Sequence, residues 1–203
     1  MKNSNGYKAT ETHIFDRAIT ILDDGGIVAF PTETYYGLGV DPYNQEALKR
    51  LFFIKKRPLN MPILVLVDGL EMLYELVDSI PDFYLPLMEQ YWPGPLTLLF
   101  PARKHLSEFL TGGTETIGIR RSPNPLVDRL LRIWGKPITA TSANISGELP
   151  ATNVAAVAQS FGDSIDYIID GGNTPGGKCS TIIGCTQGRL KLVRPGQLTI
   201  KPD

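Results

Sequence analysis

The chain has 203 residues, 42% hydrophobic and 20% charged, with a formal net charge of −1, which excludes disorder and any general attraction to nucleic acid or anionic lipid. Two cysteines and two histidines supply at most one four-ligand zinc site, and only by using all four. The first ten residues are polar, without a signal-type apolar core, and no stretch approaches 18 uninterrupted apolar residues, so the expectation is a soluble cytoplasmic protein that makes no use of a membrane.

Taken in chain order, Thr12 to Leu22 has apolar residues at helical spacing and ends at Gly25-Gly26. A strand is predicted at Ile27–Phe30, stopped by Pro31 and followed by a loop crowded with Thr32, Glu33, Thr34, Tyr35 and Tyr36. Asn44 caps a predicted helix through Ile54 with one apolar stripe. Pro62–Val67 reads as a buried strand, then Leu70–Val77 and Pro81–Tyr91 as helices, the second opened by its proline. Strands follow at Leu96–Phe100 and Thr116–Arg120. Asn124-Pro125 starts a helix closed by Gly135. Lys136–Ala140 is a strand, Thr152–Phe161 a helix, and Tyr167–Asp170, Ser180–Ile183 and Leu190–Val193 are strands. This alternation predicts an α/β fold with a twisted mixed sheet, parallel pairs joined by helices and an antiparallel closing portion. No repeat or linker divides the chain, so residues 1–203 are read as a single domain.

Five stretches bear on chemistry. Gly172 to Lys178 matches the spacing of a phosphate-cradling loop, but Cys179 replaces the magnesium-binding hydroxyl and a β-branched run replaces the helix. A glycine-rich hairpin is the better reading. "ITATSANISG", Ile138 to Gly147, gathers hydroxyls at the end of a strand, where open α/β sheets bind ligands. A hydroxyl-rich turn reads equally well there. "KKRP", Lys55 to Pro58, follows a helix and could merely complement its dipole. Arg120-Arg121 and Arg194 stand at strand exits, each alone an ordinary surface charge. Should these ends share one face, they form an open, concave, basic cleft with hydroxyls and almost no general base. That suits nucleotidyl transfer, which needs positioning and charge neutralisation more than a proton acceptor.

"FPTETYYGLGVDP", "IKKRPLNMPILV", "YWPGPLTLLF", "TIGIR", "TATSANISG", "CSTII" and "LVRPGQL", in this order, resemble the YrdC-like family of threonylcarbamoyl-AMP synthases. The resemblance covers roughly residues 25–198 and points to the form without an extra C-terminal domain. It implies a YrdC-like fold and an enzyme that joins L-threonine, bicarbonate or CO₂, and ATP into threonylcarbamoyl-AMP with release of pyrophosphate. The product then passes to a threonylcarbamoyl transferase complex that modifies the tRNA adenosine beside the anticodon. By similarity Lys55 and Arg57 are catalytic. Thr32, Thr34, Arg57 and Arg120 hold threonine, while Lys55, Ser142, Asn144, Ser180 and Arg194 hold ATP. Mg²⁺ accompanies ATP, and no protein side chain is assigned to it. The sequence departs from the family pattern at Leu66, Gly184 and the run Arg120-Arg121-Ser122-Pro123. A face that binds tRNA weakly and a transfer from carbamoyl phosphate are the rival readings, the first opposed by the near-neutral charge.

Overall fold

Local signals specify most helices. Asn44 caps α2 (Gln45–Ile54) by accepting the Ala47 N–H at 3.0 Å, and Asn124 caps α6 (Pro125–Trp134) by accepting that of Leu126 at 3.0 Å. Gly135, left-handed at φ 72°, ends α6. The structure, a computed structural model, describes residues 5–200, and the side chains of residues 13–200. Helix α1 (Asn5–Asp23) begins ahead of its predicted start. The apolar periodicity marks only the stretch that meets the core at Phe15, Ala18 and Leu22.

Among the described residues nine strands form one sheet: β1 (Val28–Pro31), β2 (Tyr36–Gly39), β3 (Leu64–Leu66), β4 (Leu96–Pro101), β5 (Thr116–Arg120), β6 (Ile138–Ser142), β7 (Tyr167–Ile168), β8 (Thr181–Thr186) and β9 (Arg189–Arg194). Their order is β7-β1-β2-β6-β3-β5-β4-β8-β9. Parallel pairs are β1–β7, β3–β5 and β4–β8; all others are antiparallel. The sheet is therefore mixed as expected, but antiparallel pairing runs through its middle rather than only its end.

Strand β2 has no counterpart among the predicted elements. Gly37 and Gly39 both lie in it, and the space is tight at Gly37, where a Cβ would stand 3.2 Å from the Phe30 ring, and closed at Gly39. A Cβ at Gly39 would stand 2.6 Å from the Thr139 carbonyl and 2.7 Å from the Phe30 ring. Pro81–Tyr91 is not one helix either. A 3₁₀ turn at Asp82–Tyr84 precedes α4 (Leu85–Tyr91), because Pro86 has no N–H to continue a helix from the turn before it. Helix α3 (Leu70–Leu76) comes before that turn. The short α5 (Glu108–Thr111), capped by Ser107, had no periodic signal. Helix α7 (Val154–Phe161) starts at the cap Asn153.

Helices α1 and α6 pack on each other and on β1. Among the described residues no helix is long and apolar enough to cross a membrane. The segment from β7 to β8 matters most for the site. Residues 169–180 form neither helix nor strand, and Gly172, Gly176 and Gly177 turn the chain at positive φ. The segment is therefore neither the expected hairpin nor a phosphate loop, which needs a helix after it.

Candidate active site

The turn between β1 and β2 is built by its own hydroxyls. Thr32 Oγ1 donates to the Tyr35 carbonyl at 2.7 Å, accepts the Thr34 N–H at 3.2 Å, and lies 3.1 Å from Thr34 Oγ1. The loop is thus both a tight turn and a wall, because Thr32, Thr34, Tyr35 and Tyr36 line a cleft of about 180 Å³. Register brings the next wall alongside: Gly37 of β2 pairs with Ser142 of β6. Ser142, Thr141 and Ala140 line the same cleft.

On the other side, Thr97, Ile182 and Arg194 stand abreast on β4, β8 and β9. Thr97 Oγ1 lies 2.9 Å from Ser180 Oγ, and Arg194 Nη2 donates to the Ser180 carbonyl at 2.9 Å and to its hydroxyl at 3.1 Å. Arg57 enters from the turn after α2, fixed by Nε to the Met61 carbonyl at 2.8 Å and by Nη2 to that of Pro62 at 2.9 Å. Arg120, at the end of β5, completes the set. Burial and the neighbouring Arg194 hold Arg57 below the usual arginine range. Partial burial, and more weakly Arg120, do the same to Arg194, an exposed residue by surface area, against an opposing effect of Cys179. Arg194 thus stands close enough to Arg57 and to Arg120 for like charge to act.

Of the residues expected from sequence, Thr32, Thr34, Arg57, Arg120, Ser142, Ser180 and Arg194 line this cleft. Lys55 and Asn144 do not. Lys55 is 1% exposed, and its Nζ donates to the backbone carbonyls of Ser142 and Asn144, each at 2.6 Å. Its ammonium is spent inside the protein, holding the Ser142 loop from beneath. Burial, with Arg57 nearby, pushes it down to about 7. Asn144 accepts from Ser142 Oγ at 2.6 Å and donates to the carbonyls of Ile145 and Glu148. Its amide folds the loop.

The departures sort by position. Leu66 is fully buried and Gly184 nearly so, and neither lines the cleft. Ser122 is different, since its hydroxyl donates to Glu33. Tyr35 and Tyr36 of the hydroxyl-rich first loop line the cleft, whereas Thr97 and Cys179 are lining residues that sequence reasoning missed. Thr97 carried a signal, being the one polar residue in the apolar run Leu96–Phe100. The segment from β7 to β8 is tied to the first loop by Gly176 N–H to the Thr34 carbonyl at 2.7 Å, and Tyr36 donates to the Gly172 carbonyl at 2.8 Å.

Behind Ser180 the turn Arg194-Pro195-Gly196 lies flat on the backbone. A Cβ at Gly196 would meet the Cys179 carbonyl and Thr181 nitrogen at 2.4 Å. Gly196→Ala should therefore cost about 1–3 kcal/mol, as overpacking does. Thermal unfolding checks this, and an unchanged melting temperature would contradict the packing described.

Comparison with known proteins gives a consistent set. The Sua5_yciO_yrdC family model, described as telomere recombination, matches residues 20–196. Threonylcarbamoyl-AMP synthase of Pyrococcus abyssi is 39% identical over 184 residues, covering 91% of this chain and 54% of that protein. The Bacillus subtilis synthase is 39% identical, covering 90% and 53%. The chain thus spans about half the length of these two relatives. The crystal structure of P. abyssi Sua5 complexed with L-threonine superposes with a TM-score of 0.88 at 39% identity, over 93% of this chain and 55% of that one.

Proposed function

Because the chain belongs to the Sua5/YciO/YrdC family, we propose that it is a threonylcarbamoyl-AMP synthase, a nucleotidyltransferase acting on L-threonine, bicarbonate or CO₂, and ATP. One observation carries the reading: Arg57, Arg120 and Arg194 meet Thr32, Thr34, Ser142 and Ser180 in a single cleft. The enclosed volume is below that of drug-sized ligand cavities. An amino acid fits inside it, and a triphosphate lies along its open side.

In this reading the Thr32 and Thr34 hydroxyls and Arg120 take the amino acid. The deprotonated amine captures CO₂, and an oxygen of the resulting carbamate attacks the α-phosphorus in line as pyrophosphate leaves. Arg57 and Arg194 offset the charge of two anions brought together, and the Ser180 and Ser142 hydroxyls orient the phosphates. Lys55 acts by holding the Ser142 loop rather than by touching ATP. No group of three or more His, Cys, Asp or Glu side chains stands together among the described residues. That suits Mg²⁺ carried in on the phosphates of ATP, which needs no all-protein cage. Bound there, it supplies further neutralisation of phosphate charge. The product goes to a transferase complex acting on the tRNA adenosine beside the anticodon, in the cytoplasm.

The test is direct. Pure protein with labelled threonine, bicarbonate and Mg-ATP should yield a threonine-derived adenylate by mass, with pyrophosphate release that depends on threonine. Release driven instead by carbamoyl phosphate, or salt-sensitive tRNA binding without release, would overturn the assignment.

A further inference from the structure

Glu33 sits between Thr32 and Thr34, both on the cleft wall, yet it does not line the cleft itself. Its carboxylate turns towards the exit of β5. Oε1 accepts Arg120 Nη1 at 2.6 Å, and Oε2 accepts the Ser122 hydroxyl at 2.6 Å. Ser122 Oγ in turn accepts the Asn124 N–H at 3.2 Å, so the clamp is tied to the cap of α6. The ion pair is deeply buried, with side chains 6% and 12% exposed. Such pairs contribute little net stability, because desolvation offsets their attraction. Arg120 carries a further cost: its buried Nε has no partner among the described residues.

Glu33 also divides the cations. Among the described residues Arg57 bonds only to backbone carbonyls, and Arg194 to a carbonyl and a hydroxyl. Both keep their full charge for a polyanion. Arg120 is neutralised and oriented by a carboxylate, which lowers its pull on phosphate and leaves it directional donors. We infer that Glu33, braced by Ser122, is a positioning residue that fixes Arg120 as a carboxylate-recognising fork and separates the amino-acid subsite from the phosphate subsite. Identifying the carboxylate as threonine's rests on the proposed synthase reading; the clamp rests on geometry. Glu33 is not the base, because both its oxygens are engaged off the wall.

The experiment compares the full chain with Glu33→Gln and Ser122→Ala. Pyrophosphate release is measured against threonine and against Mg-ATP, and L-threonine and Mg-pyrophosphate binding by calorimetry. For Glu33→Gln the threonine KM and Kd should rise tenfold or more, while the ATP KM stays within twofold and pyrophosphate binds as tightly or more tightly. Ser122→Ala leaves the ion pair in place and should raise the threonine values two- to fivefold, which keeps the test open if Glu33→Gln does not fold. A threonine KM unchanged in both variants, or threonine and ATP values rising together, overturns the clamp while leaving an active wild type intact. A wild type that binds threonine but forms no adenylate sinks the synthase reading alone. One that does not bind threonine sinks both.

Discussion

Replacing Lys55 with alanine should destabilise the protein by about 3–5 kcal/mol and take turnover with it. Two costs add. Truncating a fully buried long side chain leaves a cavity, typically ~2–5 kcal/mol for aliphatic residues of this length. Two backbone carbonyls, Ser142 and Asn144, lose their donor, at about 1–3 kcal/mol for each buried group left unsatisfied. Partial relaxation of the loop keeps the total below the simple sum. Lys55→Met separates the two, because it refills the space and restores no donor. It should retain part of the stability but little activity, since the Ser142 hydroxyl would no longer be held at the cleft. Equal activity in Lys55→Met and wild type would show that the tether is not needed.

The same lysine gives a pH signature. Burial holds it at about 7 in the folded state, against 10.5 for a free side chain. Between those values the unfolded chain binds a proton that the folded chain does not, so stability rises with pH across that window. Below about pH 7 both states are protonated, and the full cost of burying the charge is present. The neutral amine still has two N–H groups for its two carbonyls, so the tether survives deprotonation. Urea midpoints measured from pH 6.5 to 9 should climb in the wild type by more than in Lys55→Met, which lacks the titrating group.

Lys55 also marks where sequence reading stops. Strand and helix positions were largely legible because they follow from spacing and caps: Asn44, Asn124, Gly135 and the apolar runs each act within a few residues. The identity of the cleft was legible too, since its cations and hydroxyls stand at the ends of those elements. Which way a lysine points was not. "KKRP" places Lys55 and Arg57 two residues apart, and the turn sends one inward and the other to the cleft. Only the tertiary contact with residues 142–144 decides between them. Glu33 likewise reads in the sequence only as one polar residue of a crowded loop, because its partners Arg120 and Ser122 lie almost ninety residues away. The strand β2 failed for another reason. Its glycines lower strand propensity, and close approach of Phe30 and Thr139 overrides that preference.

Arg194→Ala should lower turnover by about 10²–10³-fold, the usual cost of removing a donor aimed at developing charge, without harming the fold. The argument is electrostatic. Arg194 is held near Arg57 and Arg120, and although the residue is exposed, like charge acts against it. What it gains from the protein is two hydrogen bonds to Ser180; when they are lost the Ser180 hydroxyl keeps Thr97, and water entering the space of the removed side chain reaches the carbonyl. The unliganded variant should therefore melt at or slightly above the wild-type temperature, because self-repulsion falls. Mg-ATP should raise the melting temperature of the wild type, since it binds the folded state alone, and that rise should nearly vanish in the variant. Arg194→Lys keeps a charge but loses the planar fork, so it should recover part of the ATP-induced rise and less of the turnover. Cations placed for a ligand trade stability of the empty protein for binding, whereas a structural arginine would lower the melting temperature of the unliganded variant and leave the ATP-induced rise in place.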